Sequence, residues 1–469
     1  MTGGSALNRY EWASRYINAL IQGPPSPKPG STQQEIRARA VARVDRLRSF
    51  LEFAGNPQQA YRSIHVGGTS GKGSTSALIA GILHAAGFHV GLHVSPYLQV
   101  ETEKLQIDGR LMSGDRFADH VSALDQEIKL WVSYGGAPLT YGEFWVALTF
   151  FSFAREKLDW AVIEVGAGGR FDLTNVLLSD VAVITSIGLD HVRTLGDTIP
   201  EIAWHKAGII KPGRPAITTV KKVDALEVIE REARETGSKL VEIEEGRDFE
   251  VVSTGADGTN VLDRASGMTF KTTLPGHFQG YNVAAAAAAV RAIEGLRPHS
   301  VSDDDIARGI ASTRFPGRME IVQRSPLVVL DGAHNPDKMR SFVQAALDLG
   351  EPSRRIVVLG SLDAHDFLTG ARIVTPIADE VIVTAPSATE RASAPTDDIA
   401  DVVRQAGKPV DVVADPRLAI DTALERASAT DHVLVTGSLY LVGAIRERWY
   451  DSESIVVQGS CWPNRGGHS

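Results

Sequence analysis

Cysteine is almost absent from this chain of 469 residues. The only one, Cys461, lies near the end, so an intrachain disulfide and a cysteine-rich metal centre are both excluded. Long apolar runs are missing too: no stretch reaches the ~20 residues needed to cross a bilayer, and residues 1–8 lack the basic-then-apolar order of a signal peptide. Nor is positive charge in excess. With 48 Lys and Arg against 57 Asp and Glu, a net charge of −9, the balance argues against a general nucleic-acid or anionic-membrane surface, and any basic site must be local. A reducing cytoplasm is the expected home. The remaining composition, 43% hydrophobic and 22% charged, is that of a globular protein. The length exceeds the ~250–300 residues at which single cores stop growing, so two domains are expected.

The most informative stretch is residues 63–76. An apolar strand, Ile64 to Val66, runs into the turn Gly68-Thr69-Ser70-Gly71-Lys72-Gly73-Ser74 and then into a helix reaching Gly87. Such a turn aims backbone N–H groups and a helix N-terminus at one point, Lys72 adds a full positive charge, and Ser74 offers a hydroxyl to a phosphate-bound Mg²⁺. The common phosphate loop places Ser or Thr directly after the lysine; here Gly73 intervenes. The alternative is a tight turn with a solvated lysine.

Strands at 64–66, 90–94, 161–165, 181–187 and 216–219 alternate with helical stretches and predict a doubly wound, mainly parallel sheet. Residues 240–276 turn β-branched and polar, predicting a small antiparallel excursion, and the alanine-rich run 282–292 predicts a closely packed helix. A second alternation, with strands at 327–330, 356–359, 380–383, 410–413 and 432–435, predicts a smaller Rossmann-type domain. The predicted division is residues 1–312 for a first domain carrying the glycine-rich turn, 313–452 for a second, smaller domain, and 453–469 for a flexible tail. The segment 23–31, rich in Pro, Ser and Gly, predicts a loop.

Ligands of doubly wound sheets gather at the carboxyl ends of the strands. Ser95, Glu164 and Asp190-His191 all fall at such ends and could join Ser74 in an oxygen-rich magnesium–nucleotide site. Taken singly, each also suits a cap, a paired acid or a surface loop. Gly166, Gly168 and Gly169 let a backbone approach a ligand, with Arg170 and Asp172 beside them. The alternative is a flexible loop with an incidental ion pair. Lys206 and Lys211 flank a short apolar stretch that also suits a helix terminus with solvated lysines, and Asp331-Gly332-Ala333-His334-Asn335-Pro336 clusters polar groups at a strand-to-helix turn.

These motifs, in this order, resemble folylpolyglutamate synthase, often bifunctional with dihydrofolate synthase, in the Mur ligase superfamily. The resemblance spans residues 60–446 and rests on Gly68 to Ser74, Ser95-Pro96, Thr140-Tyr141 with Glu143-Phe144, Glu164 to Asn175, Gly188 to His191, Lys206 to Gly213, Pro316 to Arg318, Asp331 to Pro336 and Thr436 to Leu441. It implies a Mur-ligase-like α/β fold, a large phosphate-loop domain plus a smaller Rossmann-like one. It implies that Gly71, Lys72, Gly73, Ser74, Asn282, Arg318 and Asp331 contact ATP. Ser95, Glu164 and His191 become Mg²⁺ ligands, Lys206 a carbamylated lysine, and His334 and Ser438 neighbours of the incoming glutamate. Lys72, Lys206 and His334 form the implied catalytic set, while Thr140, Tyr141, Phe171, Asp172 and Leu173 border the pterin. The implied reaction activates a carboxylate by phosphoryl transfer from ATP, and the glutamate amine then attacks the acyl phosphate. The implied partners are folate or pteroate and L-glutamate, and the implied state is a monomer.

Departures fall in the substrate loops. Tyr97 stands where members have His or Phe, Thr102-Glu103-Lys104 where they have Asn-Glu-Arg, and His365 where many have lysine. Tetrahydrofolate and dihydropteroate therefore both stay open as acceptors, as does a Mur-type ligase acting on another carboxylate. A phosphate-loop kinase or ATPase would need the same cradle without an amine site.

Overall fold

The computed structural model describes residues 3–21, 30–189, 192–293, 301–363, 366–386 and 392–464. Its first layer is an eight-stranded sheet in the order Arg110–Leu111, Gln106–Ile107, Val90–His93, Trp160–Glu164, Arg62–Gly67, Val181–Ile184, Ala216–Thr218, Leu240–Glu242. The last six of these are parallel. Ile64, Val66, Val162, Ile163, Val181 and Val183 are fully buried, which is why these strands read as unbroken apolar runs: helices cover both faces. Parallel register pairs Val66 with Glu164 and Gly67 with Ile184. The carboxyl ends of three strands, and the loops that follow them, therefore open on one side.

Helix Lys72–Ala85 packs on this sheet, and helices Gln279–Arg291 and Asp303–Ser312 pack on that helix. The approach is close because side chains are missing where backbones meet. A Cβ on Gly309 would overlap the backbone of Ile82, and one on Gly81 would lie 2.9 Å from the Gly309 carbonyl oxygen. Fully buried Ala285, Ala286, Ala287 and Ala289 do the same for the alanine-rich helix. The expected antiparallel excursion is the three-stranded sheet Phe249–Gly255, Gly258–Asp263, Thr269–Thr272.

The second sheet has six strands in the order Glu320–Arg324, Leu327–Leu330, His432–Thr436, Arg355–Leu359, Glu380–Val383, Val410–Val412, parallel except for the first. It has its own core around Met339, Phe342, Val357, Val381 and Leu434. The segment expected as a flexible tail is ordered through residue 464. Ser452–Gln458 is a helix with Ile455 and Val456 buried, Cys461 belongs to the core of the first domain, and Trp462 packs against that core. Asp451 caps that helix, its side chain accepting from the Ser454 amide. Much of the loop expected at 23–31 and the site residue His191 lie outside the described residues.

Candidate active site

One cavity of about 450 Å³ lies between the two sheets. Gly71, Lys72, Gly73, Ser74, Ser95, Glu164 and Asn282 line it from the first domain, and Arg318, Asp331 and His334 from the second. The phosphate turn is held to the neighbouring strand's end. The Thr69 amide donates to the Ser186 carbonyl at 2.8 Å, the Ser70 amide to Ser186 Oγ at 2.9 Å, and Thr185 Oγ1 to the Ser70 carbonyl at 2.6 Å. Gly71 caps helix Lys72–Ala85 at φ +85°, and a Cβ there would sit 2.5 Å from Asn282 Oδ1; only glycine suits both conditions. Gly73, the residue that breaks the usual loop spacing, has its own reason. A Cβ on it would stand 2.7 Å from the Phe315 ring and 3.5 Å from Glu164 Oε2.

Glu164 is 5% exposed, and its Oε1 lies 3.9 Å from Lys72 Nζ. Its Oε2 accepts the Ser95 amide at 3.1 Å. Burial pushes this carboxyl above the ordinary carboxylate range, opposed by Lys72 and the Ser95 amide and, less strongly, by Arg318 and Lys338. Asp331 is also raised by burial, against the pull of Arg318 and of the Met319 and Ala333 amides at 2.9 and 2.8 Å. Lys72, Lys221, Lys222, Arg318 and Lys338 thus face two carboxylates, Glu164 and Asp331, among the described residues of the lining. The site suits a polyanion, with an acid on each wall.

His334 donates from Nδ1 to the Gly332 carbonyl at 2.8 Å, which leaves Nε2 to accept from Lys338 Nζ at 3.0 Å. Ser438 caps helix Leu439–Arg446, its Oγ accepting the Tyr440 amide at 3.1 Å; its neighbour Leu439 lines the cavity. Lys206 is 2% exposed and donates from Nζ to the Gly68 carbonyl at 2.8 Å, against the back of the phosphate turn.

The residues assigned to the pterin gather elsewhere. Thr140 caps helix Tyr141–Arg155 and bonds Glu143, whose carboxylate is paired with Arg46 at 2.7 Å. Leu173 packs against Gly142, and Tyr141 lies 5.9 Å from the Lys104 ammonium, which also sits over the rings of Trp145 at 4.2 Å and Tyr97 at 5.6 Å. Asp172 joins the two places. It accepts from Ala167 and Thr174 amides, both at 2.9 Å, and its Oδ2 lies 3.2 Å from the Cβ position of cavity-lining Gly166. Phe171 is not among the cavity-lining residues; it packs edge-on against Trp204 and His205. Arg170 turns away from the crevice to pair with Glu232 at 2.5 Å, and Lys211 bonds Asn175 Oδ1 at 2.8 Å.

Sequence reasoning passed over Thr185, Ser186, Lys221, Lys222, Tyr281 and Lys338, all in the lining. Thr185 and Ser186 follow the strand Val181–Ile184, and Lys221 and Lys222 follow Ala216–Thr218, so the rule about carboxyl ends could have found four of them. Lys338 stands in the first turn of helix Pro336–Leu347, two residues beyond the Asp331 to Pro336 cluster, so its nearness to that motif could have found it.

A glycine-rich strand-to-helix turn in a doubly wound domain, facing a Rossmann-like domain across a cation-lined cavity, is the setting in which the likeness to Mur ligases appears. Family models described as "Mur ligase middle domain" and "Mur ligase, glutamate ligase domain" match residues 66–290 and 317–439. The chain is 33% identical to the dihydrofolate synthase/folylpolyglutamate synthase of Bacillus subtilis, over 86% of this chain and 94% of that one. It is 32% identical to the folylpolyglutamate synthase of Lacticaseibacillus casei, over 86% and 93%. Among solved structures, Mycobacterium tuberculosis folylpolyglutamate synthase complexed with ADP superposes with a TM-score of 0.81 at 25% identity, covering 95% of this chain and 99% of that one. Escherichia coli FolC in complex with DHPP and ADP superposes with a TM-score of 0.75 at 28% identity, covering 94% and 97%. The chain belongs to the folylpolyglutamate synthase/dihydrofolate synthase family, whose members are ATP-dependent ligases.

Proposed function

We propose that this chain joins L-glutamate to tetrahydrofolate, building polyglutamates, and that dihydropteroate is a second acceptor. The observation that carries the reading is the single cavity walled by Lys72 and Glu164 on one side and by Arg318, Asp331 and His334 on the other. A nucleotide triphosphate bound on the first wall faces an amino-acid site on the second, which a kinase or simple ATPase would not need.

Gly71 to Ser74, Asn282, Arg318 and Asp331 would hold ATP. The fit to Mg²⁺ rests on oxygen donors and on Glu164, a buried acid whose charge Lys72 only partly balances at 3.9 Å. Ser95 and Glu164 would be ligands with His191, and when bound the ion would neutralise charge on the transferring phosphoryl group. Lys206, as a carbamate, would bring a carboxylate-like group beside the phosphate turn.

In this mechanism Lys72 and Arg318 stabilise the charge that develops as the acceptor's carboxylate oxygen attacks the γ-phosphorus and ADP leaves. His334 and Ser438 orient glutamate, whose amine attacks the acyl phosphate and expels phosphate. The amine's proton has a nearby acceptor in His334 once the Lys338 contact yields. Asp172, Thr140, Tyr141 and Leu173, with Phe171 behind them, would border the pterin end. The two walls belong to residues 1–312 and 313–452, and closure would bring amine to acyl phosphate while excluding water. No helix among the described residues is long and apolar enough to cross a membrane; we assign the protein to the cytoplasm as a monomer, which light scattering would test. The reading itself is tested by ADP release. It should require acceptor and glutamate together; release that ignores glutamate would favour an ATPase.

A further inference from the structure

Arg446 is fully buried, yet its guanidinium bonds three separate parts of the chain. Nε and Nη2 form a two-pronged pair with Glu320, each at 2.8 Å. Nη1 donates to Gln99 Oε1 at 2.5 Å, and Nη2 donates to the Cys461 carbonyl at 2.7 Å. Trp462 Nε1 adds a 2.9 Å bond to Glu320. Two of these partners, Glu320 and Gln99, lead to opposite walls of the cavity. Glu320 Oε2 also accepts the Gly317 amide at 2.9 Å, and the Gly317 carbonyl accepts Arg318 Nη1 at 3.0 Å and the Gly332 amide at 3.1 Å. Gln99 ends the loop that begins at cavity-lining Ser95 and Pro96. The backbone of that loop is fixed by the buried Glu103 carboxylate, which accepts the Leu98, Gln99 and Val100 amides at 2.6, 2.9 and 3.2 Å.

We propose that Arg446 is a positioning residue for the ligation crevice, setting the Ser95 loop of one domain against the Arg318 turn of the other, with residues 459–462 as the strap that holds it there. The strap is tied to the first domain independently: the Leu111 amide donates to the Gly459 carbonyl at 3.0 Å, and Cys461 sits in that domain's core. The contact is also shaped for closeness. Gly443, three residues before Arg446, leaves no room for a Cβ beside the Leu98 carbonyl. A fork of fixed geometry suits this role better than a lysine, because its planar donors fix direction as well as charge. Only the statement about turnover rests on the proposed ligase activity.

The test uses the full chain with Arg446→Met, Arg446→Lys and the milder Gln99→Leu. Below each variant's unfolding temperature, kcat should fall by about tenfold or more in Arg446→Met and Gln99→Leu while KM for ATP moves by less than about threefold, since misplacement costs orientation more than binding. Arg446→Lys should fall between these variants and the parent. Hydrogen exchange, which needs no substrate, should show amides 98–100 and 317–320 loosening together in Gln99→Leu even if Arg446→Met fails to fold. Loss of thermal stability with unchanged kcat, or loosening confined to the second domain, would overturn the proposal. If the parent chain extends no folate, the exchange result still decides it.

Discussion

Glu164 holds a carboxylate where burial resists charge, and Lys72 at 3.9 Å is the nearest compensation. Lys206 presents the complementary problem, an ammonium buried against the Gly68 carbonyl at 2.8 Å. Carbamylation, as proposed, would turn that cation into an anion suited to a metal ion. Lys206→Ala should lower turnover by about 10² or more, the scale of losing one preorganised electrostatic group, and added bicarbonate should not restore it; near-normal turnover would remove the carbamate role. Next to it, His205 has Nε2 buried without a hydrogen-bond partner among the described residues. Burial first, then Arg37, Arg170 and Lys206 in its uncarbamylated form, lower its pKa to about 4. Free histidine titrates near 6.5, so between about 6.5 and 4 the unfolded chain binds the proton that the folded one refuses, and stability falls as pH drops through that window. His205→Phe, which keeps the ring contacts with Phe171 and Trp204, should show a smaller loss of melting temperature between pH 7 and pH 5 than the parent. An equal loss would assign the acid sensitivity elsewhere.

Among elements, the contact between helices Lys72–Ala85 and Asp303–Ser312 has the least slack. Gly309→Ala would push a methyl into the Ile82 backbone, where neither side chain can rotate away, and should cost about 1–3 kcal/mol in denaturant unfolding. A change below about 0.5 kcal/mol would mean that the helices can part freely. The buried parallel strands were legible in the sequence because both faces are covered and apolar residues run together. The short strands Gln106–Ile107 and Arg110–Leu111 offer two residues each, too few for a period. Helix Ser452–Gln458 was hidden for a similar reason: in a polar context it has only Ile455 and Val456 to bury, and its partners lie hundreds of residues away. At the site, the glycine-rich strand-to-helix turn was legible because its backbone signal is local. The pairing of Arg170 with Glu232, and the distance of Phe171 from the cavity, depend on side-chain directions that spacing along a loop does not encode.

For the whole molecule, the proposed ligation gives a reason for two domains, one for ATP and one for the amino acid. On that reading the phosphates would be gripped by backbone and Lys72 on one, while Arg318 and Asp331, which line the same cavity, would reach across from the other, so the reacting atoms would meet only when both walls are in place. Arg446 and the strap 459–462 restrict how those walls can move, and the Tyr97, Tyr141 and Trp145 rings around Lys104 form the environment that an acceptor approaching along Asp172 would meet. The central claim is glutamate ligation to a folate acceptor. Mass spectrometry of products formed from ATP, Mg²⁺ and glutamate, with tetrahydrofolate or dihydropteroate supplied separately, tests it most directly. The account predicts tetrahydrofolate carrying one or more added glutamyl units, and dihydropteroate carrying one. Neither acceptor extended, with nucleotide binding intact, would contradict it.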